Sequence, residues 1–401
     1  MNIYPKVIID ETGAGFLKKG QMWMYRNNLV LADPVLKTGG IASVWTETDE
    51  YLGAGFYSAN SHVTVRLLTV KEDTVIDEAW FEERMRRAWE YRKTVMHDNL
   101  TCCRIIFGEA DLLPGLTADR YNDVLVTQIT SAGMEQRKDM LYETLLQILR
   151  EDGQDVKAVY ERNDVQVRVK EGLSLYKGFW RDTAETETVI SENGLLLRVD
   201  MENGQKTGYF LDQKNNRMLV RQMAKGKKLL DCFTHTGGFA LNAAKGGAAS
   251  VTAVDVSASA LDQARHNAQL NGLQDIVSFV QADVFDYLDS LQPGAFDVII
   301  LDPPAFTKSR KTVMQAYNGY KRINRRAMEL LEEGGYLITC SCSRFMETDS
   351  FEAMLREAAS EAGVLLRQIS CTQQSPDHPV LWTMAETSYL KFYMMQIEKK
   401  Q

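Results

Sequence analysis

The sequence has 401 residues and lacks any uninterrupted apolar stretch of about 18 residues, the length that a membrane-spanning helix requires. Its first residues also lack the basic and then apolar layout of a secretory signal peptide. We therefore expect a cytoplasmic protein with no membrane partner. Because there is no internal repeat and no low-complexity tract, a repeat architecture is not expected either.

Cysteine and histidine are both scarce. The six cysteines do not have the density of a disulfide framework, and none forms a CxxC pair. The five histidines are scattered along the chain. Zinc sites need clustered cysteine and histidine ligands, so we expect no metal.

The chain has no excess of positive charge. Lysine and arginine number 46 against 54 acidic residues, a net charge of -8, which does not favour a nucleic-acid partner. One segment, residues 308–326, is predominantly basic. It could be an ordinary solvated helix face or a contact for phosphates, and its charge alone leaves both open. Its basic residues are Lys308, Arg310, Lys311, Lys321, Arg322, Arg325 and Arg326.

The hydrophobic pattern divides the chain into three parts. Residues 1–72 contain short strand-like runs separated by turn signals, which predict a small β domain. Residues 73–183 predict a middle α/β domain, with helices over 77–96 and about 134–150. In 184–401, strand-like runs alternate with helical segments, which predicts a doubly wound α/β sheet. We expect the last strand, around 389–397, to be an antiparallel edge strand.

Polar motifs follow successive strands of this predicted sheet. The strand at 229–233 leads into a glycine-containing turn, Thr236-Gly237-Gly238, before a helix. The next strand ends at Asp255, where a carboxylate can bind ribose hydroxyls. Asp283 and Val284 follow the third strand, where a carboxylate and a backbone donor can contact an adenine edge. The turn lacks the G-x-G-x-x-G pattern of dinucleotide sites, which disfavours a dehydrogenase.

These motifs, with Asp302-Pro303-Pro304 after the fourth strand and residues 206–213 (KTGYFLDQ), closely resemble class I RNA methyltransferases. The resemblance is strongest to the bacterial 23S, large-subunit ribosomal RNA (cytosine-5) methyltransferase family. Residues 19–26 are similar to that family's PUA-like domain, and 113–121, 161–164 and 171–173 are similar to its middle domain. The resemblance implies a PUA-like RNA-binding domain over 1–72, a substrate-binding domain over 73–183 and a methyltransferase domain over 184–401.

The resemblance also implies the ligands. The cofactor would be S-adenosylmethionine, giving S-adenosylhomocysteine, and the partner would be large-subunit ribosomal RNA. Given an RNA partner, the predicted RNA contacts are Trp23 and Arg26 in the N-terminal domain and Lys308, Lys321, Arg322, Arg325 and Arg326 in the basic segment. The implied cofactor contacts are Lys206, Thr207, Phe210, Gln213, Asp231, Phe233, Thr236, Gly237, Gly238, Asp255, Ser257, Asp283, Val284 and Asp302.

The fifth strand of the sheet ends in Ser341-Cys342-Ser343. Carbon-5 of cytosine is too weak a nucleophile to attack a methyl sulfonium, and addition of a thiolate at carbon-6 overcomes this. The family carries its nucleophile in a Ser-Cys-Ser motif, which implies Cys342, with Asp302 hydrogen-bonded to the base. Arg344 and the bound sulfonium are candidate sources of a positive field for the thiol. Cys340 fits a buried structural cysteine better.

Two alternatives stay open at this point. Asp-Pro-Pro followed by an aromatic residue is typical of nitrogen methylation, on guanine or an exocyclic amine, but here Ala305 precedes Phe306. The other is a non-catalytic ribosome-assembly factor that retains the cofactor pocket, against which the intact acids argue. The sequence leaves open the modified nucleotide, the group that removes the carbon-5 proton, and whether naked RNA or an assembling subunit is the substrate. The oligomeric state is also open, with a homodimer as one option.

Overall fold

The computed structural model of the protein describes residues 4–307 and 310–400. The chain forms two compact units. The first contains the chain up to Ile190, with Val199–Leu211 and Pro376–Thr387, and the second contains Ser191–Arg198, Asp212–Ser375 and the chain from Ser388. Within the described residues, no helix combines the length and apolar character needed to span a membrane.

The first unit begins with a six-stranded sheet in the order β2-β6-β5-β4-β1-β3. Strands β1 and β4 are parallel, and the other neighbours are antiparallel. Helix α1 (Glu11–Lys18), which the strand-rich pattern did not predict, is capped by Asp10, whose carboxylate accepts from the Gly13 amide. The strands are β1 (Lys6–Ile9), β2 (Trp23–Tyr25), β3 (Leu29–Ala32), β4 (Ile41–Thr46), β5 (Tyr51–Tyr57) and β6 (Val63–Thr69).

A five-stranded sheet follows in the order β11-β10-β9-β8-β7. Phe56 of β5 belongs to the same hydrophobic core as Trp89 and Tyr142 from the helices beside this sheet. The separation into domains at residue 72 stays a prediction. The elements are α2 (Glu78–Met96), β7 (Cys102–Phe107), β8 (Leu116–Tyr121), β9 (Val124–Ile129), α3 (Ala132–Glu135), α4 (Lys138–Glu151), β10 (Ala158–Asn163) and β11 (Tyr176–Phe179), followed by a two-stranded sheet of β12 (Glu187–Glu192) and β13 (Leu195–Asp200).

The second unit contains a seven-stranded sheet in the order β16-β15-β14-β17-β18-β20-β19. The strands are β14 (Lys228–Cys232), β15 (Ser250–Asp255), β16 (Val277–Gln281), β17 (Val298–Leu301), β18 (Tyr336–Ser341), β19 (Val364–Thr372) and β20 (Lys391–Lys399). The helices are α5 (Lys214–Met223), α6 (Gly238–Lys245), α7 (Ala258–Leu270), α8 (Val284–Ser290), α9 (Val313–Leu330) and α10 (Thr348–Glu361).

Helices cover both faces of this sheet. Phe239 of α6 stacks on Phe392, whereas Phe351 of α10 contacts the next residue of the same strand, Tyr393. Successive side chains of a strand point to opposite faces, so α6 and α10 lie on opposite sides. The strands from β16 to β18 are parallel. The predicted doubly wound α/β fold is therefore confirmed.

The predicted position of the last strand was wrong. Strand β20 is antiparallel to both neighbours, as expected for its direction, but it lies between β18 and β19 and is not at the edge. Its first five residues, Lys391 to Met395, are buried, as in an internal strand, whereas the edge strand β19 is mostly exposed or half-buried. The continuous apolar run in β20 was the signal for an internal position.

Candidate functional site

The candidate site of the second unit lies at one edge of the seven-stranded sheet. Strands β14, β15, β17 and β18 are parallel, so their carboxyl ends meet at the same edge. The chain order reverses direction on the two sides of β14, and ligands of open α/β sheets bind beyond the strand ends at such a point. Asp255, Asp302 and Cys342 lie at or just after the ends of three of these strands.

The turn after β14 has an unusual backbone. Phe233 and His235 have positive φ angles of 61° and 51°, and Gly237, the N-cap of α6, has a φ of 87°. Positive φ is unfavourable for side-chain-bearing residues and is concentrated at binding sites. The Asp255 carboxylate fixes the turn, because it accepts from the amides of His235 (2.9 Å) and Ser257 (2.9 Å). Thr236 and Gly238 are both buried within this turn.

Asp231 is a buried carboxylate beneath this turn. Its Oδ2 atom accepts from the Thr234 hydroxyl (2.6 Å) and the Ala240 amide (2.9 Å), whereas its buried Oδ1 atom has no hydrogen-bond partner among the described residues. The pKa of Asp231 is raised to about 7, mainly by burial and also by the negative charges of Asp302 and Asp255. Three carboxylates therefore create a negative potential that a cationic ligand would relieve.

Gln213 and Asp302, both predicted cofactor contacts, are brought together. The Gln213 amide nitrogen donates to Asp302 Oδ1 at 3.1 Å. The Gln213 oxygen accepts from Asn216 at 2.7 Å, and Asn216 in turn accepts from the Thr372 hydroxyl at 2.7 Å. This chain of hydrogen bonds fixes the orientation of Gln213 and, through it, one oxygen of Asp302.

The loops after β17 and β18 are in contact. Cys342 Sγ lies 4.0 Å from the carbonyl oxygen of Pro303, the residue after Asp302. The Ser343 hydroxyl donates to the carbonyl of Thr307 at 3.1 Å. Cys342 is half-buried. Cys340 is fully buried, and its burial raises the pKa of its thiol well above the usual value. The two cysteines thus differ in the way that the sequence predicts.

Two other predicted cofactor contacts have a local structural role. The Ser257 hydroxyl caps α7 by accepting from the Ala260 amide at 3.3 Å. Asp283 caps α8, with Oδ1 accepting from the Phe285 amide at 2.8 Å. Val284 is buried in the core beside this sheet. Caps leave part of each side chain available, so cofactor binding by these residues stays a prediction.

Three predicted cofactor residues, Lys206, Thr207 and Phe210, belong to the first unit. The Lys206 ammonium lies 4.6 Å from the centre of the Phe210 ring. The Thr207 hydroxyl donates to Asp119 at 2.6 Å and is hydrogen-bonded to Tyr121 at 3.0 Å. Thr207 is therefore a member of a buried polar network, and the cofactor role of these three residues stays a prediction.

The predicted RNA contacts of the first unit, Trp23 and Arg26, differ in exposure. The Trp23 indole is half-buried and donates to Glu109 at 3.0 Å, and its ring contacts Tyr25 edge to face. The Arg26 guanidinium is exposed and donates to the carbonyl of Ala59. Arg26 is thus better placed than Trp23 to reach a ligand in solution.

Four predicted RNA contacts of the basic segment lie on α9 and have acidic partners: Lys321, Arg322, Arg325 and Arg326. Lys321 pairs with Glu361 (2.9 Å) and Glu357 (3.5 Å), and Arg322 pairs with Asp289 (2.7 Å). Arg325 and Arg326 both pair with Glu329, at 3.4 and 3.5 Å. The positive patch is therefore largely neutralised by nearby acids. Lys308, the remaining predicted contact, lies outside the described residues.

The sequence pattern missed one charged group beside Cys342. Lys391, the first residue of β20, is 8% exposed, and its ammonium donates to the carbonyl of Ser343 at 2.8 Å. Burial lowers the pKa of Lys391 to about 8, against the opposing effects of Cys342 and Glu347. The signal for this buried charge in the sequence was a lysine at the start of an otherwise apolar strand. Arg344, the predicted source of positive field, is exposed.

The residues that the structure describes contain no cluster of three or more His, Cys, Asp or Glu side chains that could hold a metal ion.

Comparison with known proteins gives the family of this chain. Residues 108–392 match the S-adenosylmethionine-dependent methyltransferase family, and residues 7–70 match the PUA-like domain. The chain is 36% identical over 401 residues to "Ribosomal RNA large subunit methyltransferase I" of Klebsiella pneumoniae (strain 342), covering 99% of each chain. It is 42% identical over 358 residues to the protein of the same name from Shewanella amazonensis, covering 88% of this chain and 89% of the other.

The solved structures support the fold. A Streptococcus mutans structure described as a SAM-dependent methyltransferase superposes with a TM-score of 0.82 at 23% identity, covering 98% of this chain and 99% of the other. A methyltransferase complexed with SAH superposes with a TM-score of 0.83 at 23% identity and the same coverage. On the family match and the full-length identity, the chain belongs to the S-adenosylmethionine-dependent methyltransferase family and carries an N-terminal PUA-like domain.

Proposed function

We propose that the protein methylates carbon-5 of a cytosine in 23S, large-subunit ribosomal RNA. The names of its full-length relatives supply the RNA class. The observation that carries the chemistry is the contact between the Cys342 loop and the loop of Asp302, with Sγ 4.0 Å from the Pro303 carbonyl oxygen. Ribosomal RNA as a substrate implies that the protein acts in the cytoplasm.

The acidic residues Asp231, Asp255 and Asp302 suit the positively charged cofactor of the family. S-Adenosylmethionine, when bound, supplies an electrophilic methyl group on a positively charged sulfur. The Oδ1 atom of Asp231, which has no hydrogen-bond partner in the part of the chain that the structure describes, provides with Asp255 and Asp302 a negative environment for such a cation. Asp255 would accept hydrogen bonds from the ribose hydroxyls, because each of its oxygens has a lone pair beyond the one used by a backbone amide.

In the proposed mechanism, the Cys342 thiolate forms a bond to carbon-6 of the cytosine, and the electron pair of the 5,6 double bond becomes available at carbon-5. Carbon-5 would take the methyl group from the positively charged sulfur of bound S-adenosylmethionine, and the bond between that sulfur and the methyl group would break to leave S-adenosylhomocysteine. Loss of the carbon-5 proton to a base then restores the double bond and breaks the bond from Sγ to carbon-6. Asp302 would donate a proton to N3 of the base and accept from its amino group, which offsets the negative charge that thiolate addition places on the ring, with Gln213 donating to Asp302 Oδ1.

The nitrogen-methylation alternative needs an aromatic platform for the target base after the two prolines. Phe306 is instead engaged with protein rings, with centroids 4.6 Å from Tyr320 and 6.0 Å from Phe285. Neither nitrogen methylation nor a non-catalytic assembly role requires a half-buried thiol at the end of β18. Both therefore leave Cys342 unexplained.

Methyl transfer to large-subunit RNA that lacks this modification tests the proposal directly. Nucleoside analysis of the product should show 5-methylcytosine. An N-methylated base would support the first alternative, and RNA binding without transfer would support the assembly factor. RNA offered naked and in partly assembled subunits would identify the substrate form.

Cofactor affinity should depend on pH because Asp231 loses its proton when the cofactor binds. Its pKa of about 7 means that it is largely protonated below pH 7, whereas a bound cation favours the ionised form. Binding below pH 7 therefore requires loss of a proton, and affinity should fall by up to about tenfold per pH unit. Calorimetry at pH 6, 7 and 8 should show this fall relative to Asp231→Asn, in which the residue cannot titrate. If cofactor affinity changes with pH in the same way in both proteins, the proposed titration of Asp231 is contradicted. The pH dependence would then come from the amine of the cofactor.

RNA affinity should depend on α9 despite its ion pairs. Partly exposed pairs contribute only about 0–1 kcal/mol each, so phosphates can replace the carboxylates at low cost. Replacing Lys321, Arg322, Arg325 and Arg326 together with glutamine should weaken RNA binding and reduce the slope of log affinity against log salt by about 2–3. Cofactor affinity serves as the control and should not change. An unchanged salt slope would mean that these cations only hold α9 against its acidic neighbours.

A further inference from the structure

Lys391 contacts the residues on both sides of Cys342. In the antiparallel pairing of β18 with β20, Lys391 lies directly opposite Ser341. Its ammonium reaches past this position and donates to the carbonyl of Ser343 at 2.8 Å. The side chain is only 8% exposed, and among residues 4–307 and 310–400 it forms no ion pair with a carboxylate. A buried ammonium without such a partner is costly, which calls for a compensating role.

We propose that Lys391 is a positioning residue that keeps Cys342 in the thiolate form by placing a buried positive charge beside it. This inference rests on the proposed function of Cys342 as the nucleophile. It assigns to β20 a part in the chemistry, beside the Ser-Cys-Ser motif and the exposed Arg344.

The electrostatics of the surrounding groups support this pairing. A negative charge on Cys342 raises the pKa of Lys391, and such coupling is reciprocal, so the ammonium favours the thiolate to the same extent. The negative charge of Glu347 also raises the pKa of Lys391. With a pKa of about 8, against the strong effect of burial, Lys391 is mostly charged at neutral pH.

Two other groups near Cys342, Tyr320 and Asp302, do not supply positive charge. The Tyr320 hydroxyl, hydrogen-bonded to Ser341 at 3.1 Å, stays neutral because burial raises its pKa far above the usual value. Asp302 and Cys342 both act as negative charges on Tyr320 and on the Cys340 thiol. The thiolate therefore forms in a negative environment, where a fixed cation has a large effect because the site is partly withdrawn from water.

Alkylation of Cys342 by iodoacetamide tests the pairing without RNA or cofactor. The rate is followed against pH by peptide mass spectrometry, which separates Cys342 from the exposed Cys371. Lys391→Met should move the midpoint of the Cys342 profile to higher pH by about one unit or more and slow alkylation at pH 7 about tenfold. Lys391→Arg should stay close to the wild type. Lys399→Met, which removes a lysine from the other end of β20, is the matched control and should leave the profile unchanged.

A Lys391→Met profile that coincides with the wild type would overturn the proposal. If that variant does not fold, the wild-type protein decides, because its Cys342 midpoint should lie below about 8.5, the ordinary value for a free cysteine, and a midpoint at or above that value would overturn the proposal. The proposed methylation reaction and the role of Lys391 are refuted by different results. A protein with the expected alkylation shift that forms no 5-methylcytosine refutes the proposed reaction only, whereas methylation with an unshifted profile refutes only the role of Lys391.

Discussion

Replacing Cys342 with alanine should lower the rate of RNA methylation at least about a thousandfold, because it removes the nucleophile that activates carbon-5. The affinities for cofactor and RNA should stay close to those of the wild type, since the bond to carbon-6 is made only along the reaction path. Single-turnover methyl transfer with saturating RNA, together with calorimetry of cofactor binding, measures both quantities.

Cys340→Ala is the matched control, two residues earlier on β18. Cys340 is fully buried, so its truncation should cost about 0.5–3 kcal/mol in the free energy of unfolding and leave the transfer rate largely intact. Robust methylation by Cys342→Ala would rule out the cysteine mechanism and favour transfer to a nitrogen. Loss of activity in both variants, with loss of folding, would instead assign a structural role to this strand.

Replacing Asp302 with asparagine should reduce kcat about a hundredfold, the scale for removing one group that stabilises charge in a transition state. Asparagine keeps an oxygen that accepts from Gln213, which donates at 3.1 Å, but it cannot transfer a proton to N3 of the base. Because Asp302 is also a predicted cofactor contact, kcat has to be measured at saturating cofactor. A pre-steady-state assay separates the chemical step from product release.

Asp297→Asn is the comparison variant for this prediction. Asp297 precedes β17 at the end away from the site and accepts from the Lys228 amide at 2.7 Å, a contact that asparagine can keep. The change in charge is the same, so kcat should stay near the wild-type value. Equal losses in the two variants would trace the effect of Asp302→Asn to the general charge or stability of the strand.

Much of the second unit could be predicted from the sequence. Parallel strands with crossover helices give alternating apolar and amphipathic runs, and the strand ends are marked by acids and glycines. The positions of Asp231, Asp255 and Asp302 at the strand ends followed from this pattern, as did the contrast between Cys340 and Cys342. The strained backbone at Phe233 and His235 had no such marker, because both residue types are usually found at negative φ.

The parts that could not be predicted depend on contacts between distant segments. The internal position of β20 required knowledge of its pairing with β19, which lies at the sheet edge. The positive charge of α9 is neutralised by Asp289 of α8 and Glu361 of α10, two helices from other parts of the chain. Lys391 follows Cys342 by almost fifty residues, so its position beside Ser343 depends on the register of β18 with β20. Local pattern contains none of this information.

The central claim is that Cys342 adds to carbon-6 of a cytosine, and trapping of the covalent adduct tests it most directly. Large-subunit RNA containing 5-fluorocytosine should arrest the reaction after methyl transfer, because fluorine cannot leave carbon-5 as a proton. Mass spectrometry of the digested complex should then find one methylated nucleotide attached to the peptide that contains Cys342. Continued turnover without an adduct, or an adduct on any other residue, would contradict the account.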